Sequence, residues 1–504
     1  MKNLITPAQM RDMEQRFFVG TGTPSIHLME RAARELCDAL LRRYGRSETY
    51  YFACGPGGNG GDGYACARML KRQGVDCAVV AAVPPRTPDA IENAQRARFH
   101  GVPELDPKGA FGAPGVWVDA LYGTGLSRAP EGDAAALIER INADRLKGGA
   151  VAAVDIPSGL NGTTGSAWLP CVRADVTLSF QFAKPGLHLG DGLDMCGEVE
   201  VLDIGIPPAY YPEDMAGLME DADIRAALPV RPRNTHKGNC GRLLIVAGSV
   251  GMAGAAALCA RSALRSGAGL VTVAASESIV PILQAVAPCA MALPLPEADG
   301  AISAEAVEVL PPALAGTDAV VCGCGLSRRA APELLKLILE SGKPALFDAD
   351  ALNLIAAHPS LRKTLRPHHL ITPHPGEASR LLGRAITDPI EDAFALRTLN
   401  CQVLLKGATT VIPVRSRAVL SASGGCGMAK GGSGDCLSGV IGALMAERGA
   451  QENGLSGAAL AECAAVGSEL HGLAGEAAQA RLGVRGMIAG DIAEALPEVF
   501  KRYE

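Results

Sequence analysis

The chain has 504 residues, of which 48% are hydrophobic, 20% charged and 4% aromatic, with 60 glycines, and its 47 basic against 53 acidic side chains leave a net charge of −6. That balance excludes a disordered chain and offers no basic field for nucleic acid or anionic membrane. The length accommodates two to four domains. From Thr49 onward short apolar runs alternate with amphipathic stretches: TYYFAC, a helical pattern over Gly63 to Gln73, VDCAVVAAV, a helix over Asp89 to His100, VWVDA, AVAAVDIPSG and DVTLSF. Continuous apolar strands alternating with helices predict a parallel sheet covered on both faces. The first half therefore reads as an α/β domain of Rossmann-like, doubly wound type.

Between Asp203 and Asn234 prolines and polar residues interrupt the alternation, which marks a boundary. The expected domains are residues 1–215 and 222–504. The second half resumes with RLLIVAG, a helix over Ala253 to Ser266, GLVTVAA, AVVCGCG, PALFDAD, HLITPHPGE and QVLLKGATTVIPV, and two alanine-rich helical patterns, Asp435 to Arg448 and Gly457 to Gly475, close it. This is a second, larger α/β domain.

Two uncharged runs, Leu243 to Ala260 and Ser278 to Pro296, are long enough to span a bilayer. Glycines in a strand-turn-helix pattern break the first and four prolines break the second, so neither reads as a membrane helix. The polar, charged N-terminal stretch lacks the apolar core of a signal peptide, and a cytoplasmic location is expected. Fifteen scattered cysteines without a C-x-x-C pair indicate neither a disulfide framework nor a zinc ribbon.

The string GPGGNGGDG, Gly55 to Gly63, follows an apolar strand and opens a helix. Glycines there let backbone amides approach a phosphate at the positive end of the helix, whereas a plain turn needs only one or two. VDALYGTGL and AVDIPSG put Asp119, Asp155 and Ser158 at further strand ends, where open α/β sheets bind ligands. Asn59, Asp119 and Ser158 could offer oxygen ligands to a monovalent or alkaline-earth ion. Taken singly, they are equally an Asx turn, a helix cap and a hydroxyl-capped loop.

Together GPGGNGGDG, DALYGTGL, VDIPSGL and SFQFAKPGL resemble the NAD(P)H-hydrate epimerase domain, over most of Leu4 to Ile206. The resemblance implies interconversion of the two epimers of a cofactor hydrated at its nicotinamide ring, and a bound K+ ion held by Asn59, Asp119 and Ser158. It implies hydrate contacts at Gly58, Asn59, Gly60, Gly61 and Asp62, at Gly123, Thr124, Gly125, Leu126, Ser127, Arg128 and Ala129, and at Asp155. Gly58 stands where the family usually has a second asparagine, which leaves a backbone contact there. Asp155 is the candidate base, since partial burial at a strand end strengthens a carboxylate base. Lys184 is its acid partner or a phosphate contact.

In the second half, GGSGD at Gly431 to Asp435 precedes an apolar helix, so backbone amides form an anion hole beside an aspartate that can accept a hydroxyl proton. An N-cap aspartate would look the same in isolation. The run from HKGNCGRLLIVAG, through VVCGCGLS, LFDADALN, LITPHPGEASRLL and LLKGATTVI, to GGCGMAKGGSGDCLSG resembles the ADP/ATP-dependent NAD(P)H-hydrate dehydratase, of ribokinase-like fold. The resemblance implies that Ala255, Gly325 and His374 contact the hydrate. It further implies that Lys406, Gly407, Ala408, Thr409, Thr410 and Gly434 hold the adenine nucleotide and that Asp435 is the catalytic base.

Phosphorylation of the ring hydroxyl by ADP, with Mg2+ as charge-neutralising ion, would make it a leaving group, and AMP and phosphate would be released. Cys324 replaces a usual proline, AGS at Ala247 to Ser249 a usual GGS, and Lys430 a small hydroxyl residue. Lys430 could clamp a phosphate or alter nucleotide preference. The expected partners are NADHX, NADPHX and ADP, with no nucleic acid or membrane, and a homo-oligomer is expected. The competing reading is a ribokinase-like small-molecule kinase with a non-catalytic N-terminal nucleotide-binding domain.

Overall fold

The computed structural model describes residues 1–109, 115–452 and 454–504. The chain divides into two compact units, Asn3–Ala216 and Gly217–Glu504, the second also taking in Met1–Lys2. Among the described residues no helix is long and apolar enough to cross a membrane.

The first unit is built on seven parallel strands: β1 (Tyr50–Cys54), β2 (Cys77–Ala81), β3 (Glu104–Leu105), β4 (Val116–Ala120), β5 (Ala150–Val154), β6 (Val176–Phe180) and β7 (Glu198–Leu202). Their order is β3-β2-β1-β4-β5-β6-β7. Strands β1, β4 and β6 are buried along their whole length, as a sheet covered on both faces requires. The order reverses between β1 and β4, so the loops after these two strands part and leave a crevice between them. Two helices precede the first strand, α1 (Pro7–Thr21) and α2 (Ser25–Tyr44), and neither belongs to the alternation read from Thr49 onward.

Helix α3 (Gly58–Arg72) starts five residues before the expected Gly63. Two of its glycines have no room for a side chain: a Cβ on Gly60 would lie 2.0 Å from the Gly55 carbonyl oxygen, and one on Gly63 would lie 2.7 Å from the Ala120 Cβ. The glycine string thus combines a three-residue turn with a helix start pressed against the sheet.

The second unit repeats the architecture with β8 (Arg242–Val246), β9 (Leu270–Ser276), β10 (Met291–Leu295), β11 (Ala319–Cys322), β12 (Ala345–Phe347), β13 (His369–Ile371) and β14 (Gln402–Val403), all parallel in the order β10-β9-β8-β11-β12-β13-β14. The reversal falls between β8 and β11. The run QVLLKGATTVIPV, expected as one strand, is two: the chain turns at Lys406 to Thr409 and continues as β15 (Thr410–Val414), which forms an antiparallel hairpin with β16 (Arg417–Ser421). Segment Ala216–Leu218 adds a parallel strand beside β16.

Helix α4 (Ala253–Arg265) follows β8. Helix α5 (Pro375–Leu382) follows β13, and α6 (Ser433–Glu452) packs on α4, β8 and β11 over the middle of the sheet. Three helices rather than two end the chain. Helix α7 (Gly457–Gly486) runs eleven residues beyond the expected Gly475, with non-helical backbone at Gly483, and α8 (Ala489–Phe500) buries Ala489, Ile492, Ala493, Leu496 and Val499 at helical spacing.

Candidate functional site

Each unit carries one candidate site, and both lie at the carboxyl ends of the strands where the order reverses. In the first unit a cleft of about 620 Å³ opens there. Gly58, Asn59 and Asp62 from the start of α3, the loop Gly123 to Arg128 after β4, and Asp155 after β5 all line it. Gly60 and Gly61 lie behind the lining, where a Cβ on Gly61 would meet the Met29 side chain at 2.7 Å. Ala129 is also outside the cleft lining.

Asp155 sits at the end of β5 with φ 63°, a left-handed conformation that a non-glycine residue holds only where its surroundings demand it. Its Oδ1 accepts from the Phe180 amide at 3.0 Å, from Ser179 Oγ at 3.3 Å and from Lys184 Nζ. Lys184 is fully buried, and its ammonium also donates to Ser179 Oγ at 3.2 Å and to the Phe180 carbonyl at 3.1 Å. It lies beneath Asp155 and is not among the residues lining the cleft.

Asp119 and Ser158 lie just below the cleft floor, both completely buried. Ser158 donates from Oγ to Asp119 Oδ1 at 2.6 Å and from its amide to Oδ2 at 2.7 Å, while Leu121 N adds a third bond to Oδ1. Burial pushes the Asp119 carboxyl up to about 6 against these bonds, and no basic side chain offsets it. Asn59 Nδ2 is buried without a hydrogen-bond partner. The unpartnered Nδ2 is a donor and no cation ligand, so the fit rests on the other atoms: one carboxylate with its charge uncompensated, one amide oxygen and one hydroxyl suit a hard monovalent cation.

A carboxylate missed from the sequence also lines this cleft. Glu14, on α1, is half-buried, and burial followed by the charge of Asp155 pushes it up to about 7. Asp62 is raised well above the carboxylate range by burial and by Asp155 and Glu14. The only sequence trace of Glu14 is its place between Met10 and Phe18 at four-residue spacing, which puts all three on one helix face.

In the second unit the reversal brings together the loops after β8 and β11. Gly248 N donates to the Cys324 carbonyl at 2.9 Å and Ser249 Oγ to the Gly325 carbonyl at 2.9 Å. Gly325 has φ 60°, and a Cβ there would lie 2.9 Å from the Ala255 Cβ, so Ala255 and Gly325 meet with no room for a side chain. His374 caps α5, its Nδ1 accepting from the Gly376 amide at 3.0 Å.

The next strand ends supply charge. Asp348 follows β12 and is buried; its Oδ1 accepts from Lys406 Nζ at 2.6 Å and its Oδ2 from Ser438 Oγ at 2.8 Å. Burial pulls Lys406 down, but Asp348 and Glu377 more than offset it and hold the ammonium above its ordinary range. Gly434 faces this pair, since a Cβ there would lie 3.6 Å from Lys406 Nζ and 3.7 Å from Asp348 Oδ2.

Asp435 is the third residue of α6; burial first, then the Asp348 charge, push its carboxyl up to about 6, with the Cys324 thiol and Lys406 pulling the other way. Gly407 and Ala408 are exposed at the turn, while Thr409 and Thr410 are buried. Lys430 donates to the Arg485 carbonyl at 2.9 Å and to the Met487 carbonyl, so its ammonium fastens the end of α7. Asp348, Glu377 and Ser438 were not singled out in the sequence, although LFDADALN and TPHPGE contain the first two.

The NAD(P)H-hydrate dehydratase family matches residues 243–498, and the family described as YjeF-related protein N-terminus matches residues 25–186. The bifunctional NAD(P)H-hydrate repair enzyme Nnr of Moorella thermoacetica is 36% identical, over 99% of this chain and 97% of that one. The Nnr enzyme of Escherichia coli K12 is 34% identical, over 95% of this chain and 90% of that one. A crystal structure of a ribokinase-like superfamily protein from Enterococcus faecalis V583 is 25% identical, with TM-score 0.50, covering 57% of this chain and 96% of that one.

Proposed function

The chain belongs to the bifunctional NAD(P)H-hydrate repair enzymes, and from that premise we propose how its two sites divide the work. The first unit, Asn3–Ala216, exchanges the R and S forms of NADHX and NADPHX. The second, Gly217–Glu504, dehydrates the S form with ADP, giving AMP, phosphate and the reduced cofactor. The observation that carries this reading is the convergence of Lys406, Asp348 and Asp435 on Gly434 at a helix start, a constellation suited to moving a phosphoryl group.

In the dehydratase site Asp435 takes the proton of the ring hydroxyl as that oxygen attacks the terminal phosphoryl group of ADP. The amides at the start of α6 and the Lys406 ammonium stabilise the charge that develops. Asp348 anchors Lys406, and the junction of Ala255 with Gly325, together with His374, borders the hydrate. Lys406 to Thr410 and Gly434 take the nucleotide. Expulsion of phosphate rather than hydroxide then restores the dihydronicotinamide ring. Among the described residues no group of three His, Cys, Asp or Glu could hold a metal ion. Mg2+ would enter on the ADP phosphates, where it supplies charge neutralisation.

In the epimerase site Gly58, Asn59 and Asp62 and the loop Gly123 to Arg128 receive the dinucleotide, with Asp155 beside the nicotinamide ring. Lys184 acts through Asp155, holding it in place. K+ would be held by Asn59, Asp119 and Ser158, where it would compensate the buried Asp119 charge and brace the loop that follows β4. A cytoplasmic location accompanies the proposal, supported by fifteen cysteines that are all free thiols. A homo-oligomeric state is part of it as well and is read by sedimentation velocity.

The test is absorbance at the dihydronicotinamide band after mixing an epimeric hydrate preparation with the protein and ADP. Recovery of the whole preparation is expected, because the epimerase feeds the R form to the dehydratase. Recovery that stops at the S fraction would leave the first unit without activity. Accumulation of a phosphorylated product without dehydration would instead favour a small-molecule kinase.

A further inference from the structure

We propose that Glu14 is the acid–base group of the epimerase, exchanging a proton with the hydroxyl on the nicotinamide ring, with Asp155 beside it. The inference rests on the epimerase reading of the first unit's cleft and adds the proton carrier that this reading lacks. Met10, Glu14 and Phe18 form one stripe of α1 along the cleft wall, and Glu14 is the one polar member. Among the described residues no hydrogen bond reaches its carboxyl group. A carboxyl half-buried in an apolar stripe without a partner weakens the fold unless something in the cleft uses it.

The groups around Glu14 divide the labour. Three donors converge on Asp155 Oδ1, so that oxygen has no room for a proton, and all three ammonium hydrogens of Lys184 have acceptors inside the protein. Lys184 cannot hand a proton to a ligand without breaking the cluster, and Asp155 Oδ2 takes none of these donors. Asp62 from α3 and Asp155 present negative charge to Glu14, and Lys184 and Arg11 present positive charge, with Arg11 also donating to the Thr124 carbonyl at 3.4 Å. Burial and Asp155 win, and Glu14 carries a proton up to about pH 7.

Epimerisation then needs only water. Protonated Glu14 gives its hydrogen to the ring hydroxyl, the carbon–oxygen bond breaks with its electron pair on oxygen, and water leaves. The ring nitrogen lone pair fills the vacancy, which makes that carbon planar and the ring cationic between the Glu14 and Asp155 carboxylates. Water adds to the opposite face, and its proton returns to Glu14 through the water of the open cleft. Nothing is oxidised or reduced, and the group ends as it began.

The experiment follows the exchange of purified S-NADHX into R-NADHX by chromatography without ADP, from pH 5.5 to 8.5, after subtraction of the uncatalysed rate. Wild type is expected to lose activity as pH rises through about 7, where Glu14 gives up its proton. Glu14→Gln should lose roughly 10²-fold or more and the pH dependence with it. Glu14→Asp should recover part of the rate and the same falling limb. ADP-dependent dehydration of S-NADHX at the other site reports that each variant is folded. Glu14→Gln within threefold of wild type, or with the limb intact, overturns the proposal. If Asp155→Ala is inactive while Glu14→Gln is active, the epimerase reading stands and this inference fails. If both are fully active, the cleft reading itself fails.

Discussion

Lys406 Nζ lies 2.6 Å from Asp348 Oδ1, and the opposite oxygen of that carboxylate takes the Ser438 hydroxyl, so one buried aspartate ties the turn after β14 to the helix that carries Asp435. The pair fixes a cation beside the glycine start of α6 before any ligand arrives. Lys406→Met should leave Asp348 buried and unpaired, which costs about 3–5 kcal/mol in denaturant unfolding. It should also weaken ADP binding in calorimetry. Unchanged ADP affinity in a folded variant would remove Lys406 from the nucleotide site.

Asp435 must be a carboxylate to accept a proton. Its carboxyl is raised to about 6, chiefly by burial, so dehydratase turnover should climb as pH rises from 5 to 7 with a midpoint near that value. Asp435→Asn should lower kcat by roughly 10²–10⁴-fold and leave exchange of the epimers untouched. Full dehydratase activity in this variant would show that the base is elsewhere.

In the proposed site K+ would compete with protons for Asp119. Its folded-state pKa of about 6 exceeds the ordinary carboxylate value, so without a cation its contribution to stability is present below pH 4 and is lost as pH rises through 6. KCl should therefore raise the melting temperature at pH 8 more than choline chloride at equal ionic strength, with a smaller difference at pH 5. Asp119→Asn should abolish the K+-specific part. Equal shifts from both salts at pH 8 would count against a cation site there.

Lys184 is the counter-ion of Asp155 and has no exposed surface. Removing it as Lys184→Met leaves a carboxylate in a left-handed backbone position with two of its three donors, at a cost of about 3 kcal/mol or more. Epimerisation should be lost with KM for the hydrate little changed, since the lysine does not line the cleft. A large rise in KM with kcat preserved would instead make it a binding residue.

Much of the architecture was legible along the chain. Apolar runs such as VWVDA and RLLIVAG became buried parallel strands because a sheet covered on both faces asks for little more than continuous hydrophobicity. The glycine strings were legible for a similar reason: Gly60 and Gly325 have no space for a Cβ, and that requirement writes itself into residue type. Helices α1 and α2 lay outside the strand–helix alternation, and α8 followed a break at Gly483, so neither joined a recognised pattern. The run through Lys406 looked like one strand because the apolar residues on both sides of its turn are alike.

The sequence alone determined two α/β units, the strand-end glycine loops and the candidates Asp155 and Asp435, since each is a local demand that residue type and spacing express. Tertiary structure alone decided which charges meet. Asp348 and Lys406 are 58 residues apart, Asp155 and Lys184 are 29 apart, and Glu14 comes from a helix that precedes the whole sheet. Burial and the field of neighbouring charges set the proton affinity of a carboxyl group, and both come from chain segments distant in sequence, so only the folded arrangement assigns Glu14 a proton near neutral pH.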